Sequence, residues 1–185
     1  MSDYHDFLSE VLIPEEALQK RIAELGAKIS DDYKGKGPLI LVCILRGGVL
    51  FLTDLIRKIN IPHAIEFMGV SSYGVGGRES SGRVRLTLDL GVDIAGKHVL
   101  LVEDIIDSGR TIDAVMNLLA TREPASINVC TLLDKAERRE VDVPIKYIGF
   151  SIPNKFVFGY GLDLDDYYRN LPFIGVVDLH KYSPK

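Results

Sequence analysis

The residues best suited to chemistry lie together in the run Val99-Leu100-Leu101-Val102-Glu103-Asp104-Ile105-Ile106-Asp107-Ser108-Gly109-Arg110-Thr111. Adjacent carboxylates at Glu103 and Asp104 offer hard oxygen donors, which suit sugar hydroxyls or a hard cation. Asp107-Ser108-Gly109-Arg110-Thr111 follows and leads into Ile112–Leu119, where the apolar spacing predicts a helix. Such a loop attracts phosphate, because the first amides of a helix lack intrahelical partners and the helix dipole is positive there. Gly109 lets the backbone approach an anion closely, and Ser108 and Thr111 supply hydroxyls. The apolar run His98–Val102 predicts a short strand buried on both faces, with the two acids expected where it ends. An ordinary strand–loop–helix with solvated acids is the plainer alternative. It leaves the convergence of acids, glycine and hydroxyls unexplained. A P-loop of the ATPase kind fits poorly: Gly109-Arg110-Thr111 imitates its end, but Asp104 stands where its first glycine belongs and Arg110 replaces its lysine.

Leu45-Arg46-Gly47-Gly48 is a second candidate anion site, since two glycines and an arginine sit between a predicted strand and a predicted helix. A tight turn with a surface arginine would read the same way. The stretch Gly69–Arg83 holds glycines and serines with little to bury, which fits either a linker or a functional lid. Its Gly74-x-Gly76-Gly77 is not a dinucleotide fingerprint, because no helix follows. Lys135 stands just past an apolar run in the charged stretch Asp134–Asp142, where a solvated lysine is the default. Phe156 in Lys155-Phe156-Val157 is by default a core aromatic. The histidines are scattered and carry no ligand spacing.

The elements that must position these residues follow from periodicity. Pro14–Ser30 carries the helical stripe Leu18, Ile22, Leu25 and Ile29, and Pro38–Leu45 reads as the first buried strand. A helix over Gly47–Asn60, strands at Ile61–Met68 and Arg83–Asp89, and a helix continuing to about Arg122 come next. The Arg83–Asp89 strand could pair with the segment ahead of the loop. Strands at Ile127–Leu133 and Ile145–Phe150 follow, and Pro153–Lys185 looks irregular. Strands alternating with helices predict a mostly parallel sheet covered on both faces, with ligands beyond the strand C-termini.

The 185 residues suffice for one domain with a sizeable core. The formal net charge of −4 argues against a general nucleic-acid binder, which needs a basic face. Cys43 and Cys130 sit in apolar runs without metal-type spacing and read as buried reduced thiols. No apolar stretch approaches the length of a membrane span and no signal peptide is evident, so a cytoplasmic protein is expected.

The run Val99–Thr111 resembles the phosphoribosyl-pyrophosphate (PRPP) signature of the type I phosphoribosyltransferases. Its wording Glu-Asp-Ile-Ile-Asp-Ser-Gly is closest to the hypoxanthine-guanine branch, and ordered motifs extend the likeness from about Leu39 to Arg169. The resemblance implies an α/β fold with a mostly parallel twisted sheet flanked by helices, in a single domain. That domain would have a core near 36–150, a small hood from about 1–13 and 151–185, and a mobile lid at about 69–83. It implies Mg²⁺-dependent transfer of phosphoribose from PRPP to hypoxanthine or guanine, giving IMP or GMP and pyrophosphate.

Residue roles carry over by position. Glu103 and Asp104 would hold the ribose hydroxyls and, with Asp163, the metal. Asp107 would be the general base near purine N7, and Asp107, Ser108, Gly109, Arg110 and Thr111 would cradle the 5′-phosphate. Leu45, Arg46 and Gly47 would bind pyrophosphate, with a non-proline cis peptide between Leu45 and Arg46, and Arg169 would contact the same group. Lys135 would meet the purine 6-oxo group, Phe156 would stack on the ring, and the Val157 backbone would read its edge, with Asp163 nearby. Ser72 and Tyr73 would belong to the lid. The resemblance also implies a homo-oligomer, dimer or tetramer, for which apolar residues near Phe51–Ile59 could supply an interface. No nucleic-acid or membrane partner is expected. Two alternatives stay open: a PRPP-binding regulator of RNA or DNA on the same fold, and an enzyme for another base such as xanthine or a pyrimidine.

Overall fold

A computed structural model describes residues 3–72 and 84–182. Near the N-terminus, β1 (Leu8–Ile13) leads into the long helix α1 (Glu15–Tyr33), with Pro14 as its N-cap. Then come β2 (Leu39–Leu45), α2 (Val49–Ile56), β3 (Ala64–Ser72) and β4 (Val84–Leu88). The second half holds β5 (His98–Ile106), α3 (Arg110–Ala120), β6 (Ser126–Asp134) and β7 (Ile145–Ser151). Two short strands, β8 (Val157–Phe158) and β9 (Ile174–Val177), complete the chain.

The main sheet has the order β4-β3-β2-β5-β6-β7. Every pair in it is parallel except β3–β4, where Ser72 lies opposite Val84 and the chain turns back on itself. Side chains alternate between two apolar layers, as the two-residue period of a strand requires. Leu39, Leu41 and Cys43 face the layer built with α1 and α2, while Ile40, Val42 and Ile44 face the layer built with α3. In α3 the stripe Ile112, Val115 and Leu119 is buried at helical spacing, and each such side chain contributes about 1.5–3 kcal/mol of burial. Both cysteines are free and buried. No helix among the described residues is long and apolar enough to cross a membrane.

A smaller antiparallel sheet, β1-β9-β8, joins the two ends of the chain. Its core is an aromatic cluster in which Phe7 packs against Phe158, Tyr168 and Tyr182. The stretch from Pro153 is therefore not irregular throughout, since it supplies two strands of this sheet.

Several expected boundaries move. β5 does not end at Val102 but runs on to Ile106, because its register with β6 continues through Glu103↔Thr131, Ile105↔Leu133 and Ile106↔Asp134. The two acids thus sit inside a strand. α2 is shorter than Gly47–Asn60, and β3 begins three residues late and takes in Gly69–Ser72, which read as loop. The proposed interface at Phe51–Ile59 fails on burial: Phe51, Leu52 and Leu55 are fully buried in the layer against α1 and the sheet.

β2 and β5 are neighbours in the sheet, but the chain runs on from β2 through α2 to β3 on one side and from β5 through α3 to β6 on the other. A crevice opens at such a switch point beyond the strand C-termini. Arg46–Gly48 follow β2 there, and Asp107–Gly109 follow β5.

Candidate active site

Two adjoining cavities lie at this crevice. The larger, about 280 Å³, is lined by Leu45, Arg46, Gly47, Glu103, Asp104, Thr111, Asp163 and Arg169, with Ile44 and Val70. The smaller, about 110 Å³, is lined by Glu103, Asp107, Ser108, Gly109 and Thr111 among others, so Glu103 and Thr111 border both.

The smaller cavity is the mouth of the β5–α3 loop. Gly109 caps α3 with φ of 85°, a left-handed conformation that a side chain would resist. The Ser108 hydroxyl accepts a hydrogen bond from the Arg110 amide at 3.4 Å, and the Ser108 carbonyl accepts from Glu140 and Val141. The guanidinium of Arg110 turns away from the loop to pair with Glu140, its Nε lying 2.7 Å from the carboxylate. The loop therefore offers backbone and hydroxyl donors more directly than it offers the arginine charge.

Asp107 stands where three cations converge. Lys135 Nζ lies 3.9 Å from Asp107 Oδ2, and Arg138 Nε lies 3.2 Å from Oδ1. Arg139 donates to the Asp107 carbonyl at 3.0 Å while its other nitrogen pairs with the buried Asp134 at the end of β6. Arg139 thereby ties the loop to β6. Lys135 is not the solvated charge its surroundings suggested. Only 7% exposed, it has its ammonium pKa lowered by burial, with Asp107 opposing that shift.

The larger cavity is lined by both acids and bases. The Leu45–Arg46 peptide is cis, as the resemblance implied. Gly47 packs so tightly that a Cβ there would fall 1.5 Å from Asp104 Oδ2. Burial pushes the Asp104 carboxyl up to about 6, partly countered by a hydrogen bond from the Ile105 amide and by Arg169. Glu103 is pushed well above the ordinary range, by burial first and by the Asp104 charge second. Its Oε2 is enclosed and accepts no hydrogen bond among the described residues. Arg169, which lines the same cavity, pairs with Asp163 at 2.8 Å and donates to the Gly161 carbonyl at 2.8 Å. Arg46 reaches Asp166 at 3.2 Å.

The expected residues thus fall into three groups. Those expected on ribose, metal and pyrophosphate converge on the larger cavity. Those expected on the 5′-phosphate, with the exception of the Arg110 side chain, converge on the smaller one, and Lys135 joins them through Asp107. Phe156 and Val157 belong to the small sheet. Val157 is buried in β8 opposite Val176, the Phe156 carbonyl accepts from Val177, and the Phe156 ring is 50% exposed, as a stacking platform requires. Ser72 ends β3, and Tyr73 lies outside the described residues. Sequence reasoning missed Arg138 and Arg139, because a charged run after a strand reads as a solvated loop. The signal was available only in hindsight, since arginines three and four residues past Lys135 can fold back beside it.

Adjacent acids in one cavity beside a glycine-capped helix start in the next are a combination that comparison with known proteins can place. A family model described as "Phosphoribosyl transferase domain" matches residues 12–165. The hypoxanthine phosphoribosyltransferase of Salmonella typhimurium is 52% identical over 171 residues, covering 92% of this chain and 96% of the relative. The hypoxanthine-guanine phosphoribosyltransferase of Staphylococcus aureus is 48% identical over 179 residues, covering 97% and 99%. A crystal structure of a Staphylococcus aureus hypoxanthine phosphoribosyltransferase superposes with a TM-score of 0.93 at 46% identity, covering 99% of this chain and 98% of that one. The chain belongs to the phosphoribosyl transferase family and, within it, stands with the hypoxanthine and hypoxanthine-guanine phosphoribosyltransferases.

Proposed function

We propose that the chain transfers the 5-phosphoribosyl group of PRPP to hypoxanthine or guanine, forming IMP or GMP and pyrophosphate. The observation that carries this reading is the place of Asp107, which borders the phosphate cavity and lies within reach of Lys135. A purine held by Lys135 would therefore meet the carboxylate that removes its ring proton.

Each residue then has a task. As the bond from C1′ to pyrophosphate breaks, positive charge grows on the ribose, and the Glu103 and Asp104 carboxyls bind its hydroxyls and favour that charge. Arg46 and Arg169 take up charge on the leaving pyrophosphate, displacing the carboxylates they now pair with. Asp107 accepts the proton that the purine sheds as it bonds to C1′. Ser108, Gly109 and Thr111 hold the 5′-phosphate at the start of α3. Phe156 stacks on the base, and the Val157 backbone reads its edge.

The acids of the larger cavity also fit magnesium. No three metal-type side chains gather at ligand spacing among the described residues. Glu103 Oε2 is nevertheless enclosed without a partner beside Asp104, on the cavity that Asp163 also lines. Magnesium is commonly held by one or two carboxylates, several waters and substrate oxygens, and these residues suit that mode. When bound it would neutralise charge on the departing pyrophosphate. A cytoplasmic location and assembly into a dimer or tetramer belong to the same reading.

A spectrophotometric assay with PRPP, Mg²⁺ and each of hypoxanthine, guanine, xanthine and adenine tests the proposal. Turnover is expected with the 6-oxopurines, and little with adenine. An absence of turnover with any base would point instead to a PRPP-binding regulator.

Lys135 supplies the discrimination, because an ammonium donates to a 6-oxo group and has nothing to accept from a 6-amino group. Hydrogen bonds to charged groups are worth about 1.5–3 kcal/mol, so Lys135→Ala should narrow the preference for hypoxanthine over adenine by about 10- to 100-fold. A ratio of kcat/KM values equal to wild type would remove Lys135 from base selection.

A further inference from the structure

Tyr160 is buried, yet its conformation is one that aromatic residues avoid. Gly159, Tyr160 and Gly161 have φ of 94°, 49° and 98°, and Gly159 and Leu162 exchange both backbone hydrogen bonds at 3.0 and 3.1 Å. Tyr160 and Gly161 are therefore the central pair of a two-residue hairpin turn with positive φ at both positions. Asn-Gly or Gly-Gly fills such a turn most easily. A bulky residue there persists only where its surroundings hold it.

The holding group is Asp54 in α2. Its carboxylate accepts the Tyr160 hydroxyl at 2.5 Å and the amide of Gln19 in α1 at 2.8 Å. α2 is the helix that follows the Arg46-Gly47-Gly48 turn. The hairpin tip reaches that turn itself: a Cβ on Gly161 would fall 2.1 Å from the Gly47 carbonyl oxygen. Gly47 in turn packs against Asp104, and Gly161 bonds Arg169 both ways, its amide to the Arg169 carbonyl and its carbonyl to the Arg169 guanidinium. A continuous line of contact thus runs from Asp54 through Tyr160 and Gly161 to Gly47 on one side and Arg169 on the other.

We propose that Tyr160 is a positioning residue for the pyrophosphate side of the site: its hydrogen bond to Asp54 pins the Gly159–Leu162 turn to α2 and so sets the spacing between Gly47 and Arg169. Tyr160 lines neither cavity. The proposal rests on the phosphoribosyl-transfer reading for the identity of the ligand, whereas the contacts themselves do not depend on it. A small misplacement of groups that must engage one anion together is costly, so the effect falls on the pyrophosphate end of PRPP and spares the purine.

The test compares wild type with Tyr160→Phe, Asp54→Ala and the double variant. Tyr160→Phe removes one oxygen and keeps the buried ring, so it is expected to fold. Its KM for PRPP and its inhibition constant for pyrophosphate should both rise about tenfold, with the KM for hypoxanthine within about twofold. Asp54→Ala, which also frees Gln19, should weaken both at least as much, and the double variant should be no worse than Asp54→Ala, because Tyr160→Phe then has no bond left to remove. Calorimetric titration with inorganic pyrophosphate and Mg²⁺ should give the same weakening without needing turnover. A lowered Tm with both KM values and pyrophosphate affinity unchanged would mean a purely structural role and overturn the proposal, as would additive effects in the double variant. Inactive wild type would count against the functional reading alone, and the pyrophosphate titration would still decide the role of Tyr160.

Discussion

Asp107→Asn should lower the rate of the chemical step by about 10²- to 10⁴-fold, the usual worth of a positioned general base. The substitution is close to isosteric and leaves the loop intact, because Arg139 binds the Asp107 main-chain carbonyl and the smaller cavity is also lined by Glu103, Ser108, Gly109 and Thr111, among others. It also frees Lys135 and Arg138 from their shared carboxylate, so the local field becomes more positive. PRPP binding should therefore be equal to wild type or slightly tighter. Product release limits kcat in many enzymes and can hide part of a chemical defect, so single-turnover measurements with hypoxanthine are the decisive readout. The reverse reaction, IMP with pyrophosphate, must slow by the same factor, since the same proton returns along the same path. A single-turnover rate equal to wild type would take Asp107 out of the mechanism.

That Asp107 stands at the mouth of this loop was legible in the sequence, whereas its surroundings were not. The strand–loop–helix run could be read locally because apolar spacing and loop chemistry are local properties. Adjacent acids look like a strand end at Val102, but β6 goes on pairing with β5 at Glu103, Ile105 and Ile106, and sheet pairing overrides polarity. Arg138 and Arg139 show the opposite failure: their roles depend on a fold that brings the β6–β7 connection over the β5–α3 loop. β1 and β9 pair Leu8 with Val177 and Ile13 with Ile174, contacts between opposite ends of the chain that no local window contains. The link between Tyr160 and Asp54 likewise spans more than a hundred positions.

Glu103→Gln is expected to make the ligand-free protein more stable and the enzyme worse. The Glu103 carboxyl is buried beside Asp104 with one oxygen unpartnered, and both causes hold its pKa well above 4.5. The folded chain thus binds this proton more tightly than the unfolded chain does. Its contribution to stability is complete below about pH 4.5 and declines as pH rises towards the folded value, since only the unfolded state gains by ionising. Keeping this carboxyl neutral therefore costs the folded chain more the further pH rises above the unfolded value, by about 1.4 kcal/mol for each tenfold difference in proton affinity. Glutamine carries no such proton. The variant should therefore melt higher than wild type at pH 7, by about 2–4 °C for each kcal/mol so relieved, and the gain should shrink towards pH 5. Its kcat/KM for PRPP should fall by about 10- to 100-fold, because a neutral amide binds ribose hydroxyls and a cation less well than a carboxylate. Thermal melts of both proteins at several pH values, with kinetics alongside, test both halves. A stability gain independent of pH would mean that packing rather than the buried charge is responsible, and unchanged kinetics would mean that Glu103 does not meet the ribose or the metal. If both halves hold, one cause explains them: the enclosure that makes a carboxylate costly in the empty site leaves it poorly hydrated and ready to bind a cation or hydroxyls when PRPP arrives.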